Sequence, residues 1–237
     1  MKKEPVKVSI CSTEEESWDT TWKWGWFFRD TWKSRESSVW TEQEPGIRTL
    51  NSLFTKLKVK SILHCSCGLG IQVIRLTELG YEVEGSDGSA VAIKYAPQLE
   101  KEEGLNIRFF HSRWEELGRN CERQYDCVFS DYFDEIRTRR ILKASVKGIY
   151  SVLNEGGKFI FGSLPQDSDL KKLIEDEWKK RERFDILSPY EKDGVRVTSL
   201  EIAEKTLEGI LENRIFLIEK QGIMRAEIAF IMNPRIK

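Results

Sequence analysis

Two glycines and one carboxylate mark the stretch of this chain best suited to chemistry. Gly68 and Gly70 come after Cys65-Ser66-Cys67, behind a strand-like run ending Ile62-Leu63-His64, and Asp87 stands 17 residues beyond Gly70. Neither glycine carries a Cβ, so a bulky ligand can approach bare backbone at that turn. An acid about 20 residues past such a turn is placed to accept hydrogen bonds from ribose hydroxyls. The spacing therefore predicts a nucleotide-binding strand–turn–helix–strand unit. A dinucleotide fold asks for a third glycine three positions on, for close packing of helix on strand, and Val73 occupies that place. A nicotinamide-dependent oxidoreductase is thereby disfavoured. His64, Cys65 and Cys67 together suggest metal, but successive strand side chains point to opposite faces. No paired ligand spacing lies elsewhere, so no metal site is expected.

The elements that must position these groups alternate in type. Ser61–His64 reads as a first strand, and Ile71 to Gly80 as a helix with a glycine stop. Tyr81–Glu84 is a second strand, Ser89–Glu100 a helix whose last turn Pro97 should kink, and Ile107–Phe110 a third strand. Tyr125–Ser130 is a fourth strand, with Asp131 and Tyr132 at its carboxyl end. A helix over about 135–153, a turn at Asn154-Glu-Gly-Gly157 and a fifth strand, Lys158–Gly162, follow. Five strands alternating with helices predict an α/β fold: a Rossmann-like, doubly wound, mostly parallel sheet with helices on both faces. Ahead of it, Ile47, Leu50, Leu53, Phe54 and Leu57 share one face of a helix that starts after Glu44-Pro45-Gly46.

The flanks differ from this core. Residues 1–17 are polar and expected to be mobile. Trp18, Trp22 and Trp26 recur every four residues, aligned on one helix face. They read either as an aromatic lid over a ligand or as a stripe packed on the sheet. After a charged helix over about 167–183 come three strand-like runs, 194–203, 209–219 and 223–232, the last two around the hairpin signal Lys220-Gln-Gly222. Residues 1–44, 45–166 and 167–237 are the expected divisions: an aromatic-rich lid segment, the cofactor-binding core, and a C-terminal antiparallel β subdomain.

The longer string is more specific than its glycines. Ser66-Cys-Gly-Leu-Gly-Ile-Gln72, Leu79-Gly-Tyr81 and Gly85-Ser-Asp-Gly-Ser89 resemble the class I S-adenosylmethionine-dependent methyltransferases, most of all the glycine/sarcosine N-methyltransferase group. The resemblance covers about residues 45–165. It implies S-adenosylmethionine as cofactor, with Ser66, Cys67, Gly68, Gly70 and Gln72 under its methionine part. Asp87 and Gly88 would serve the ribose, Arg113 and Trp114 the adenine side, with Ser130 nearby. Asp131 and Tyr132 would face the transferring methyl. Arg48, or failing it Arg35, would reach the cofactor carboxylate. Three positions depart from the pattern: His64 where the first strand usually ends in an acid, Arg113 where an Asp commonly reaches the adenine amine, and Tyr132 where Asn is frequent. In the family a helix ending like Arg181-Glu-Arg-Phe184 precedes an antiparallel insertion, so residues 194–232 are expected to form that sheet over the ligand cleft. The parallel sheet would then end on an unpaired fifth strand, which implies a partner chain there or a longer parent protein.

Composition narrows the class of partner. Lys and Arg number 38 against 39 Asp and Glu, a formal charge of -1, which gives no general attraction to nucleic acid or anionic membrane. No apolar run is long enough to span a bilayer, and no signal peptide is evident. Five cysteines, an odd number, do not suggest a disulfide framework, so a reducing, cytoplasmic setting is expected. The function expected is methyl transfer to a small molecule such as a glycine-like amine, with homo-oligomer formation open. The alternative is a non-catalytic cofactor-binding or interaction module derived from such an enzyme.

Overall fold

The computed structural model describes residues 6–133, 136, 138–162, 183–206 and 209–234. The chain opens with β1 (Lys7–Ile10) and α1 (Glu14–Phe27), then passes two short helical turns, α2 (Arg29–Trp32) and α3 (Ser38–Thr41), into α4 (Glu44–Leu57). Strands and helices then alternate: β2 (Ser61–His64), α5 (Ile71–Glu78), β3 (Glu82–Asp87), α6 (Ala90–Glu102), β4 (Phe109–His111), α7 (Leu117–Asn120), β5 (Tyr125–Ser130), α8 (Arg139–Ser151) and β6 (Leu153–Phe161). Five strands close the chain: β7 (Arg183–Ile186), β8 (Tyr190–Lys192), β9 (Val195–Lys205), β10 (Gly209–Lys220) and β11 (Ile223–Pro234). Two compact units result, Arg29–Leu164 and Met1–Phe28 with Pro165–Lys237.

The first unit is the expected α/β sheet, in the order β4-β3-β2-β5-β6 with every pairing parallel. Ile62 and Leu63 point to opposite faces, and both are buried without exposure, as are Cys127 and Val128. Apolar residues on both faces of a strand demand helices on both, and the helices supply that cover. Ile47, Leu50 and Phe54 of α4 are its buried stripe. α5 ends in a Schellman arrangement: the Gly80 amide donates to the Thr77 carbonyl, the Tyr81 amide to Leu76, and Gly80 takes φ +91°. α6 is capped by Ser89, whose hydroxyl accepts from the Ala92 amide at 3.1 Å. Pro97 does not end the helix, which runs on to Glu102. The turn expected at residues 154–157 lies inside β6 as an irregularity: Tyr125 pairs with Leu153, yet Cys127 pairs with Lys158. Among the described strands β6 pairs only with β5 and forms an edge.

The second unit is an antiparallel sheet, β11-β10-β9-β7, with β8 also on β9 and β1 added parallel to β11. The hairpin at Lys220–Ile223 closes through Gln221 (φ +52°) and Gly222 (φ +75°), the left-handed pair that a two-residue turn requires. β1 replaces the expected mobility at residues 7–10, because its amides and carbonyls find a ladder on β11. Of the two readings of the tryptophan stripe, packing on the sheet is not met by Trp18 and Trp22. α1 buries Ser17, Thr21 and Trp24, while Trp18 and Trp22 stack on each other at 5.9 Å and stay half-buried. Small residues allow the closer approach, and the Ser17 hydroxyl accepts from the Phe230 amide at 3.2 Å. Of the helix expected over about 167–183, residues 167–182 lie outside the described residues, and Arg183 opens β7.

Candidate functional site

The site forms where β2, β3 and β5 end together. His64 is level with Gly85 on one side and Phe129 on the other, so the residues just beyond these positions converge. The loop after β2 stays tied to both neighbours: the Cys65 amide donates to the Phe129 carbonyl and the Cys67 amide to Ser86. Gly68 (φ +52°) and Gly70 (φ +85°) then turn the chain into α5. The Phe109 ring explains why residue 70 must be small. A Cβ there would lie 2.8 Å from the ring, and one at Gly85 would lie 2.6 Å from it.

Asp87 closes this turn from β3. One carboxylate oxygen accepts the Gly68 amide at 2.8 Å and the other accepts the Ser89 amide at 2.8 Å. Burial pushes its carboxyl above the ordinary value, against the pull of those two amides. Each oxygen retains a free lone pair, and the side chain is half-buried, so Asp87 can accept further donors.

Asp131 is held differently. Ser66 Oγ donates to its Oδ1 at 3.0 Å, Gln72 Nε2 donates to Oδ2 at 2.9 Å, and His64 Nε2 lies 3.3 Å from Oδ1. Burial pushes this carboxyl up, but His64 and Ser66 outweigh burial and hold it below the ordinary value. Ser130 completes the cluster, its hydroxyl 3.1 Å from that of Ser66. The histidine that departs from the family pattern thus lies beside an acid just past the end of the neighbouring strand. The relation is one of charge proximity: both ring nitrogens of His64, like Gln72 Oε1, are buried without a hydrogen-bond partner among the described residues.

The remaining expected residues divide. Cys67 contributes backbone only: its thiol is buried against Gly85, and burial with the nearby Asp87 raises it well above its usual value. Arg113 lies beside Gly88, with its Cγ 3.9 Å from where a Cβ on that glycine would stand. Trp114 spends its indole N–H on the Cys65 carbonyl at 2.6 Å and packs edge-on to Phe133. Tyr132 is exposed next to Asp131. Arg48 is exposed on α4 and forms no ion pair with a described residue. Arg35 is committed to Glu103 and Glu78 and stacks 4.0 Å over Trp40. Gln43, which sequence reasoning missed, accepts from Gln72 Nε2 at 2.9 Å. Its only signal was its place two residues ahead of Pro45, where the chain enters α4.

Known proteins similar to this chain are methyltransferases. Residues 62–157 match a family model described as a methyltransferase domain. A glycine/sarcosine N-methyltransferase of Aphanothece halophytica is 30% identical over 135 residues, 54% of this chain and 47% of that protein. One of Halorhodospira halochloris is 30% identical over 115 residues, 46% of this chain and 41% of that protein. The chain thus matches about half the length of these curated relatives or less. Among solved structures, an S-adenosylmethionine-dependent methyltransferase from Clostridium acetobutylicum superimposes with TM-score 0.62 at 15% identity, covering 91% of this chain and 81% of that one. A sugar N-methyltransferase from a Streptoalloteichus species gives 0.62 at 14% identity, covering 90% and 78%. At such identities these two structures establish the fold alone.

Proposed function

We propose that this chain, whose residues 62–157 carry a methyltransferase domain, transfers the methyl of S-adenosylmethionine to the nitrogen of a small amine. The observation that carries the reading is the junction of Gly68 and Gly70 with Asp87, bare backbone beside a carboxylate that keeps free acceptor capacity. The cofactor supplies a methyl already activated on a sulfonium. The protein's work is then to hold and align the partners rather than to make a nucleophile.

The residues fit such a group. Asp87 would accept the ribose hydroxyls, and Gly68 and Gly70 would pass under the methionine part. Gln72 and Ser66, fixed through Asp131, would line the same loop. Arg113 offers no acceptor for an adenine amine, so the adenine edge would be read by backbone around Ser112 and Trp114. Asp131 is a fixed negative charge rather than a mobile base, because both oxygens are already engaged. Its role would be to set the field in which an amine arrives. Tyr132, exposed beside it, would orient that amine.

Support for an amine acceptor comes from the curated relatives, glycine/sarcosine N-methyltransferases by name. Incubation with S-adenosylmethionine and glycine, sarcosine or a panel of small primary and secondary amines tests it. Release of S-adenosylhomocysteine dependent on one of these amines is expected. Turnover only with hydroxyl or carbon acceptors would remove the amine assignment.

A further inference from the structure

Among the described residues, one face of the antiparallel sheet is covered by its own helix and the other carries no helix of the same unit. Directly paired residues of such a sheet share a face, and alternate residues oppose. Phe216 of β10 stacks on Trp24 of α1 at 5.8 Å, and its partner Glu227 accepts from the Trp24 indole at 2.9 Å. The set that includes Phe216 therefore faces α1. On that face Val197, Ile210, Ile218 and Ile231 are at most 1% exposed.

The opposite set begins with Ile215 and Leu217. Register places Leu200 and Ile202 of β9 and Ile228 and Phe230 of β11 on the same side. None of these six is buried, and the small Ala226, opposite Leu217 on the same side, is 6% exposed among them. The face continues outward through Phe184 and Ile186 of β7, 61% and 60% exposed, and Val8 and Ile10 of β1, 54% and 69% exposed. Charge is distributed the other way. Glu201, Glu212, Arg214 and Glu227 share the α1 side. Across β9–β11 the opposite side carries charge only at its rim, in Arg196, Glu204 and Glu219, with Thr198 and Asn213 its other polar residues.

An apolar centre ringed by charges of both signs is the anatomy of a protein–protein contact. β9, β10 and β11 have 11, 12 and 12 residues, and β1 and β7 four each. At the usual strand spacing and rise they give a flat footprint of roughly 650 Å². Side-chain relief adds to this, against about 800 Å² per partner in a standard stable interface. The centre has no charge to select a nucleic acid, an anionic lipid surface or an oppositely charged protein. A flat apolar face with both rim charges is self-complementary under a two-fold axis. We propose that this face, centred on Ile215 and Leu217, pairs with the same face of a second copy of the chain. The two sheets would pack as the layers of a sandwich, about 10 Å apart. The inference is independent of the reaction proposed above.

Sedimentation velocity and light scattering on the full chain at micromolar concentration test it. Twice the 27.7 kDa of one chain is expected for the wild type. Ile215→Lys is expected at the mass of one chain, with an unchanged far-ultraviolet dichroism spectrum. A wild type of one-chain mass overturns the proposal, as does a folded Ile215→Lys that keeps the doubled mass. Should Ile215→Lys fail to fold, Asn213→Arg is read in the same way, since that position on the face is already polar.

Discussion

The two sheets of this molecule solve the same burial problem in different ways. In the parallel sheet Ile62, Leu63, Cys127 and Val128 are apolar on both faces of the central strands, and both faces are hidden, so neither side of β2 or β5 is left for solvent there. In the antiparallel sheet, charged residues such as Glu201, Glu212 and Arg214 share the side of α1, and the apolar set without them is the one that no described helix of that unit covers. A continuous apolar strand thus needs its cover within the domain. An alternating strand can keep one apolar face for a partner. Chemistry follows the same division: the polar cluster sits where the doubly covered strands end, because only there do backbone groups leave the ladder.

The largest effect expected separates the two faces of the antiparallel sheet. Phe216→Ala removes a 5%-exposed ring and should cost about 3–4 kcal/mol. Phe184→Ala, on a 61%-exposed ring of the opposite face, should cost less than about 0.5 kcal/mol within one chain. Denaturant melts of the two variants check the difference, and equal costs would erase the distinction between covered and open faces.

A second substitution probes the parallel unit. Gly148 of α8 lies so close to the turn at Trp114 that an added Cβ would stand 2.1 Å from the Trp114 carbonyl oxygen. Backbone cannot yield as a flexible side chain does, so Gly148→Ala should destabilise by about 3 kcal/mol, a fall of roughly 6–12 °C in melting temperature. It should also weaken cofactor binding, since Trp114 steadies the Cys65 carbonyl.

Smaller, and specific to the site, is the contribution of Asp131. Its folded carboxyl is held below its ordinary value, so the stability it adds is present above about pH 4 and is lost as pH falls through that lowered value. Asp131→Asn should therefore cost about 1–2 kcal/mol near neutrality, and the gap to wild type should close in acid. A gap that widens on acidification would contradict the assignment. Asp87, raised by burial, acts in the opposite sense: the cost of its ionisation is relieved as pH falls through its raised value.

What was legible in the sequence was what local backbone geometry enforces. Gly68, Gly70 and Asp87 were readable because the turn needs left-handed residues and the strand places its acid at its end. The Gln221-Gly222 hairpin was readable for the same reason. The pairing of His64 with Asp131 was not, because it joins residues 67 apart in the chain through adjacent strands, and no local pattern records which side chains meet across a ladder. Gln43 escaped for a similar reason: an uncharged amide before a helix becomes part of a site only through the packing of α4. Which face of α1 turns inward was not legible from the tryptophan spacing, because the small Ser17 and Thr21 let α1 approach β11. Arg48 followed from a family habit, and its exposed position on α4 gives it no partner among the described residues.

Calorimetric titration of S-adenosylmethionine into the wild type and into Asp87→Asn tests the central claim most directly. Hydrogen bonds to a charged acceptor contribute about 1.5–3 kcal/mol each, so loss of the carboxylate should weaken binding by more than about tenfold, while the wild type binds with a one-to-one stoichiometry per chain. No binding by the wild type, or equal affinity in the two proteins, would contradict the account.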